Sequence, residues 1–145
     1  MSKKDDLKFG LENEIKVLPL IEQFLETKLK KDENPYSIYD WWNETKTIFV
    51  ELKSRRITHN QYDTAIIGEN KIKMCKNPDI NYYFVWLYTD GLFYLKYDKK
   101  LFDSFDVKET QIKFRYDVGR PEINKVVHIP YKLLSKLPNT LILQK

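Results

Sequence analysis

From Gly10 onward, apolar residues recur at helical spacing. Leu11, Leu18, Ile21 and Leu25 fall on one face, with Ile15, Val17 and Phe24 beside it. The pattern predicts a helix that follows a polar lead over residues 1–9 and ends in the polar run 28–35. Pro19 interrupts it. A proline inside a helix costs about 3 kcal/mol and removes a backbone donor, so a bend or a restart is expected there. The period then changes. Residues 36–42 are aromatic and β-prone, residues 47–53 are β-branched and apolar, and the polar stretch 43–46 between them predicts a hairpin. Residues 54–69 read as irregular, and 69–76 as a short helix. Residues 80–89 read as a strand that turns at Asp90-Gly91 into a return strand, Leu92–Tyr97. Two further strands are expected near 107–117 and 124–129, then a short helix near 130–137 after Pro130. The sum is an α/β (α+β) chain, helices packed on a mixed sheet, expected to form a single domain over residues 1–145. It contains no repeat, linker or low-complexity stretch.

Composition narrows the picture. With 145 residues, 42% apolar and 14% aromatic, the chain can bury one real core and is not a disordered segment. Its net charge of +4 is compatible with a polyanionic partner without requiring one. A single cysteine, Cys75, excludes an intramolecular disulfide and any zinc site built on two or more thiolates of one chain. No stretch is apolar and long enough to cross a bilayer, and the start is polar, so a soluble, cytoplasmic protein with no membrane partner is expected. Four glycines leave no phosphate-binding or dinucleotide fingerprint, and His59 and His128 form no paired metal-ligand spacing.

One constellation carries chemistry. Hydrolysing a phosphodiester takes a divalent cation to stabilise developing charge, a water made nucleophilic near neutral pH, and fixed positive charge at the phosphate. Hard cations of this kind prefer carboxylates. Asp40 with Glu51-Leu52-Lys53 offers such a set. Side chains alternate along a strand, so Glu51 and Lys53 share a face with Phe49, while Ile48, Val50 and Leu52 share the core face. A turn at Glu44-Thr45 pairs Trp42 with Thr47 and Asp40 with Phe49, which puts Asp40 on the Glu51 face, diagonal to it. A slip of one residue would move it to the wrong side.

Glu-x-Lys occurs five times in this chain, so the letters alone decide little. Only the copy at 51–53 ends an apolar strand and follows a partner that carries an acid. The competing view is a solvated strand face, but the neighbouring Trp41, Trp42, Phe49 and Val50 suggest burial on both sides. Glu14 is a third acid. Its helical neighbours Gly10, Leu11, Val17 and Leu18 are apolar or small, so it points inward and needs a metal or a cation. A salt bridge to a lysine at the core edge is the plainer alternative.

Taken together, Gly10-Leu-Glu-Asn-Glu14, Tyr39-Asp40 and Phe49-Val-Glu51-Leu-Lys53-Ser-Arg55 resemble the PD-(D/E)XK, or restriction-endonuclease-like, superfamily. The likeness is to its small phage and large-DNA-virus members and to Holliday junction resolvases. Tyr62-Asp-Thr-Ala-Ile-Ile-Gly68-Glu-Asn-Lys71-Ile is similar to the segment that follows the catalytic strand in those members. The likeness spans roughly residues 9–95, with Tyr39 where the motif's name has proline. It implies a restriction-endonuclease-like mixed sheet flanked by helices, and cleavage of DNA by Mg²⁺- or Mn²⁺-activated water, with selectivity for branched DNA as one form of it. Asp40 and Glu51 would be metal ligands, Lys53 the catalytic lysine, and Glu14 the helix acid that supports the metal directly or through water. Gln61 and Tyr62 would lie near the site, and a homodimer would cut two strands.

Residues 54–76 add five basic side chains against two acidic ones. Arg55, Arg56, Lys71 and Lys73 are expected to contact phosphate rather than to form a merely solvated face. The aromatic run Tyr82, Tyr83, Phe84 and Trp86 could stack on bases but reads as sheet core. The rival functional class is a non-catalytic DNA-binding module on the same fold.

Overall fold

Alternation along two neighbouring strands sets the architecture. The computed structural model describes residues 3–31, 40–115 and 120–138. Helix α1 (Lys3–Leu25) is followed by short strands β1 (Lys30–Lys31) and β2 (Trp41–Trp42), then β3 (Ile48–Ser54) and β4 (Thr64–Gly68). Helix α2 (Glu69–Lys73), β5 (Asn81–Tyr88), β6 (Gly91–Lys96) and α3 (Lys99–Phe102) come next. The chain closes with β7 (Asp106–Arg115), β8 (Arg120–Pro130), a 3-10 turn at Tyr131–Leu133 and β9 (Ser135–Lys136). Six strands form one mixed sheet in the order β1-β2-β3-β5-β6-β9, and three form a second, β4-β8-β7. β3 and β5 run parallel, and the connection between them passes through β4 and α2. The expected α+β class is the one observed.

The main sheet is buried on both faces. On one face Val50, Leu52, Val85 and Leu92 meet Val17 and Ile21 of α1, with Trp41 and Leu29. On the other, Tyr82, Phe84, Trp86, Tyr88 and Phe93 meet Ala65 and Ile67 of β4 and Val127 and Ile129 of β8. Tyr82, Phe84 and Trp86 of the aromatic run in β5 are therefore core, as expected, while Tyr83 is half-buried. At about 25 cal/mol per Å² of apolar surface, each of these large side chains is worth about 2 kcal/mol of burial. Among the described residues no helix is long and apolar enough to cross a membrane.

Several expectations are corrected. The helix begins at Lys3, not Gly10, because the lysines of the polar lead propagate helix well. Pro19 neither restarts nor ends α1. Pro19 and Ile15, whose carbonyl loses its partner, are both exposed, so water can take that carbonyl. Residues 64–68, read as irregular, form β4, whose inward residues find their apolar partners only in the tertiary fold. The helix expected at 130–137 is a single 3-10 turn and a two-residue strand, tied down by Leu137 donating to the Leu92 carbonyl at 2.8 Å. The expected strand 36–42 is described only from Asp40, and residues 32–39 lie outside the described residues.

Candidate active site

β3 supplies the first two groups. Glu51 and Lys53 stand on the face shared with Phe49, opposite Phe84 and Trp86 of β5. Both aromatics are 1% exposed, so Glu51 is set into a wall of core rings and is itself only 5% exposed. Lys53 is farther along the strand, opposite Trp86, and is partly exposed.

The hairpin brings Asp40 alongside, in a register two residues from the expected one. Trp42 pairs with Phe49 rather than Thr47, and Trp41 pairs with Val50. The cause is the Asn43 side chain. Its Oδ1 accepts from the Thr47 and Ile48 amides at 2.9 and 3.0 Å, and its Nδ2 donates to Thr47 Oγ1. That network, with Lys46 in the left-handed region at φ 57, stabilises a longer loop than the two-residue turn assumed. A shift of two conserves the face, so Asp40 still lies on the Glu51 side. Regular pairing stops at Trp41. The Asp40 amide donates to the Val50 carbonyl at 3.1 Å, and its Oδ2 accepts from the Leu52 amide at 2.6 Å.

Both carboxylates are raised above their ordinary pKa, each first by burial. Burial pushes Glu51 up to about 7, and the negative charge of Asp40 adds to the shift, against the pull of Lys71 and Lys53. Asp40 is also raised, first by burial and then by the charge of Glu14, while the Leu52 amide opposes the shift. Glu51 Oε2 is buried and accepts no hydrogen bond. Lys71 Nζ stands 3.5 Å from it, an ion-pair separation but too long for a well-formed charged hydrogen bond.

A cleft of 590 Å³ is lined by Lys53, Arg55, Glu69, Asn70, Lys73 and Lys125 among others; Lys53 joins it to β3, while Asp40 and Glu51 do not line it. It lies where β3 leaves the main sheet and α2 leaves β4. At that junction the Asn70 side chain lies close over Gly68, so that a Cβ there would come within 2.6 Å of Asn70 Oδ1 and would displace that amide. Lys125 is a contribution from β8 that the sequence did not suggest, because only the pairing of Gly68 with Val126 brings β8 to the cleft.

The other expected residues divide. Arg55 and Lys73 line the cleft as basic groups, although Lys73 also pairs with Glu69 at 3.2 Å. Arg56 is exposed and does not line it. Lys71, expected on phosphate, points instead at Glu51, because the β4–α2 crossover lays α2 over the carboxylate face. Gln61 and Tyr62 sit in the exposed turn before β4, away from the cleft lining, and Tyr62 is 62% exposed. Glu14 forms an ion pair with Lys31 at 3.0 Å, the plainer of the two readings of that acid. Helix α1 covers the opposite face of the sheet, so Glu14 reaches Asp40 by its charge, around the strand edge. His59 is structural: its amide and its ring both bond Asp90, and the ring stacks on Phe93.

The residues fit a hard divalent ion, with two carboxylates rather than three. Among the described residues no group of three or more His, Cys, Asp and Glu side chains is placed to hold a metal. Mg²⁺ commonly takes one or two protein carboxylates and completes its sphere with water and substrate phosphate. A buried carboxylate oxygen without a hydrogen-bond donor, beside a second acid, suits that use.

Comparison with known proteins agrees with this geometry. No curated protein matches the chain significantly. A family model described as "phage putative PDDEXK endonuclease" matches residues 6–137, a span that takes in Glu14, Asp40, Glu51, Lys53, Lys71 and Lys125. The match covers most of the chain, which therefore belongs to this family of PD-(D/E)XK nucleases of phage type.

Proposed function

We propose that the chain is a DNA endonuclease dependent on Mg²⁺ or Mn²⁺, with Asp40 and Glu51 holding the metal and Lys53 facing the reacting phosphate. The observation that carries this reading is Glu51. A carboxylate 5% exposed among core aromatics, beside a second acid and with one oxygen lacking a donor, is unfavourable as a purely structural device. When bound, the divalent ion supplies polarisation of a phosphoryl oxygen and a water acidic enough to ionise near neutral pH.

The chain's own groups do the rest. The Leu52 amide fixes one oxygen of Asp40 and leaves the other for the site. Packing against the ring layer holds Glu51 in place. Lys53 lines the cleft and offers an ammonium to the negative charge that builds on the phosphate oxygens during hydrolysis. Arg55, Lys73 and Lys125 give that cleft the sign that attracts a nucleic-acid backbone. Glu14 acts from the rim, through its charge on Asp40.

The test is cleavage of labelled duplex, nicked and four-way-junction DNA with Mg²⁺ or Mn²⁺, wild type beside Lys53→Ala and Asp40→Asn. The expected outcome is metal-dependent cutting that either substitution lowers by about 10²-fold or more. Preference for the junction would make the enzyme selective for branched DNA, and the mass of the active species would read whether two copies cut together. DNA binding without cutting, indifferent to metal and to both substitutions, would leave a binding module on a nuclease fold.

A further inference from the structure

Two lysines approach the acidic pair, and they are placed differently. Lys53 lies at the open end of β3 among the cleft's basic side chains. Lys71 comes from the crossover helix α2, does not line the cleft, and has a side chain only 20% exposed. Its ammonium stands 3.5 Å from Glu51 Oε2, a buried oxygen with no closer donor. This contact is made by a cation against a buried anion, at a distance where charge rather than hydrogen bonding supplies the attraction. Its place follows from the crossover: α2 (Glu69–Lys73) continues directly from β4, which pairs with β8 up to Gly68.

We propose that Lys71 is a built-in counter-cation which occupies the charge position of the divalent metal on Glu51 and yields it when metal binds, so that α2 sets metal affinity. The inference rests on the reading of Asp40 and Glu51 as the metal pair. A buried carboxylate pair without a cation would be strongly unfavourable. An ammonium on a flexible four-carbon stem neutralises it in the metal-free chain and can swing away without moving the backbone. Lys71 is thus a positioning residue for the metal, and it competes with the metal for Glu51. Lys53 makes no ion pair with Glu51 among the described contacts and acts on it through its charge alone, more weakly than Lys71.

Mn²⁺ binding to the full chain, measured by calorimetry and by the rise in melting temperature, tests this without any substrate. The proteins are wild type, Lys71→Met, Lys71→Gln, Lys53→Met and Asp40→Asn. Lys71→Met is expected to bind Mn²⁺ about tenfold tighter than wild type and to melt lower without metal, with the loss recovered on adding Mn²⁺. Lys71→Gln, which keeps length and polarity, is expected to show the same tightening if the methionine variant does not fold. Lys53→Met, which removes a weaker charge on the same carboxylate, should tighten binding less than either Lys71 variant. If both Lys71 variants bind Mn²⁺ as wild type does or more weakly, while Asp40→Asn loses binding, the counter-cation role is overturned and the metal pair stands. If neither wild type nor the Lys71 variants bind Mn²⁺ at all, the metal pair fails and this inference fails with it.

Discussion

The two faces of β3 are built from alternate residues of one strand, yet they do opposite things. Val50 and Leu52 face α1 and are buried against Val17, Ile21 and Trp41, in a layer of apolar side chains. The other face begins the same way, with Phe49 stacked on Tyr82, and then turns to Glu51 and Lys53. Both faces are screened from water, but only one has left ionisable groups there. The contrast teaches that this site is an edge of the hydrophobic core, not an addition to the surface. The ring layer that stabilises the fold also strips solvent from the acid. A solvated strand end would not raise the pKa of Glu51 in this way.

Three substitutions would break or sharpen that contrast. The largest effect is expected at Glu51. Its folded pKa of about 7 lies above its ordinary value of 4.5, so between those pH values the folded chain keeps a proton that the unfolded chain has lost. Stability from this group is therefore complete below pH 4.5 and is lost as pH rises through 7, by about 3 kcal/mol. Urea unfolding in a chelator at pH 4.5 and pH 8 should show that loss in wild type. In Glu51→Gln most of it should be gone, leaving only the smaller, same-signed part that Asp40 contributes. On the apolar face, Val50→Ala should lower stability by about 2 kcal/mol at either pH, with cleavage retained where the variant is folded. The smallest effect belongs to the rim. Lys73→Ala should weaken DNA binding a few-fold and reduce the slope of log affinity against log salt by about one, as a fluorescence-anisotropy salt series would read. An unchanged slope would remove Lys73 from the phosphate contacts.

The comparison also explains what the sequence made legible. The period-two alternation of 47–53 identified the charged face of β3, and that face survived an error of two residues in the hairpin register. Local letters could not give the register itself, because it depends on an Asn43 side chain that takes over two backbone donors. β4 escaped notice because its three central apolar residues, Ala65, Ile66 and Ile67, make a run too short to signal a strand without its partner β8. Lys71 was visible as a basic residue but not as an inward one. Its direction is decided by where the crossover lands, a matter of topology. Glu14 was read as inward from its helical neighbours, but the helix rim, with Lys31 within reach, is where it lies. The segment 131–137 followed its proline into a helical reading, and the β6 edge claimed it as a strand.

Asp40 has one more lesson. Its Oδ2 accepts the Leu52 amide just beyond the last regular pair, so a side chain mimics the peptide carbonyl that a longer β2 would have supplied. The same atom group is thus a rung of the ladder and half of an acidic pair. Removing charge and removing structure become separable at a single position. Asparagine can keep the rung with its amide oxygen while discarding the anion, whereas alanine discards both and unpins the end of the hairpin. A loss of cutting in the asparagine variant would speak for chemistry, and only the further loss in alanine would speak for architecture.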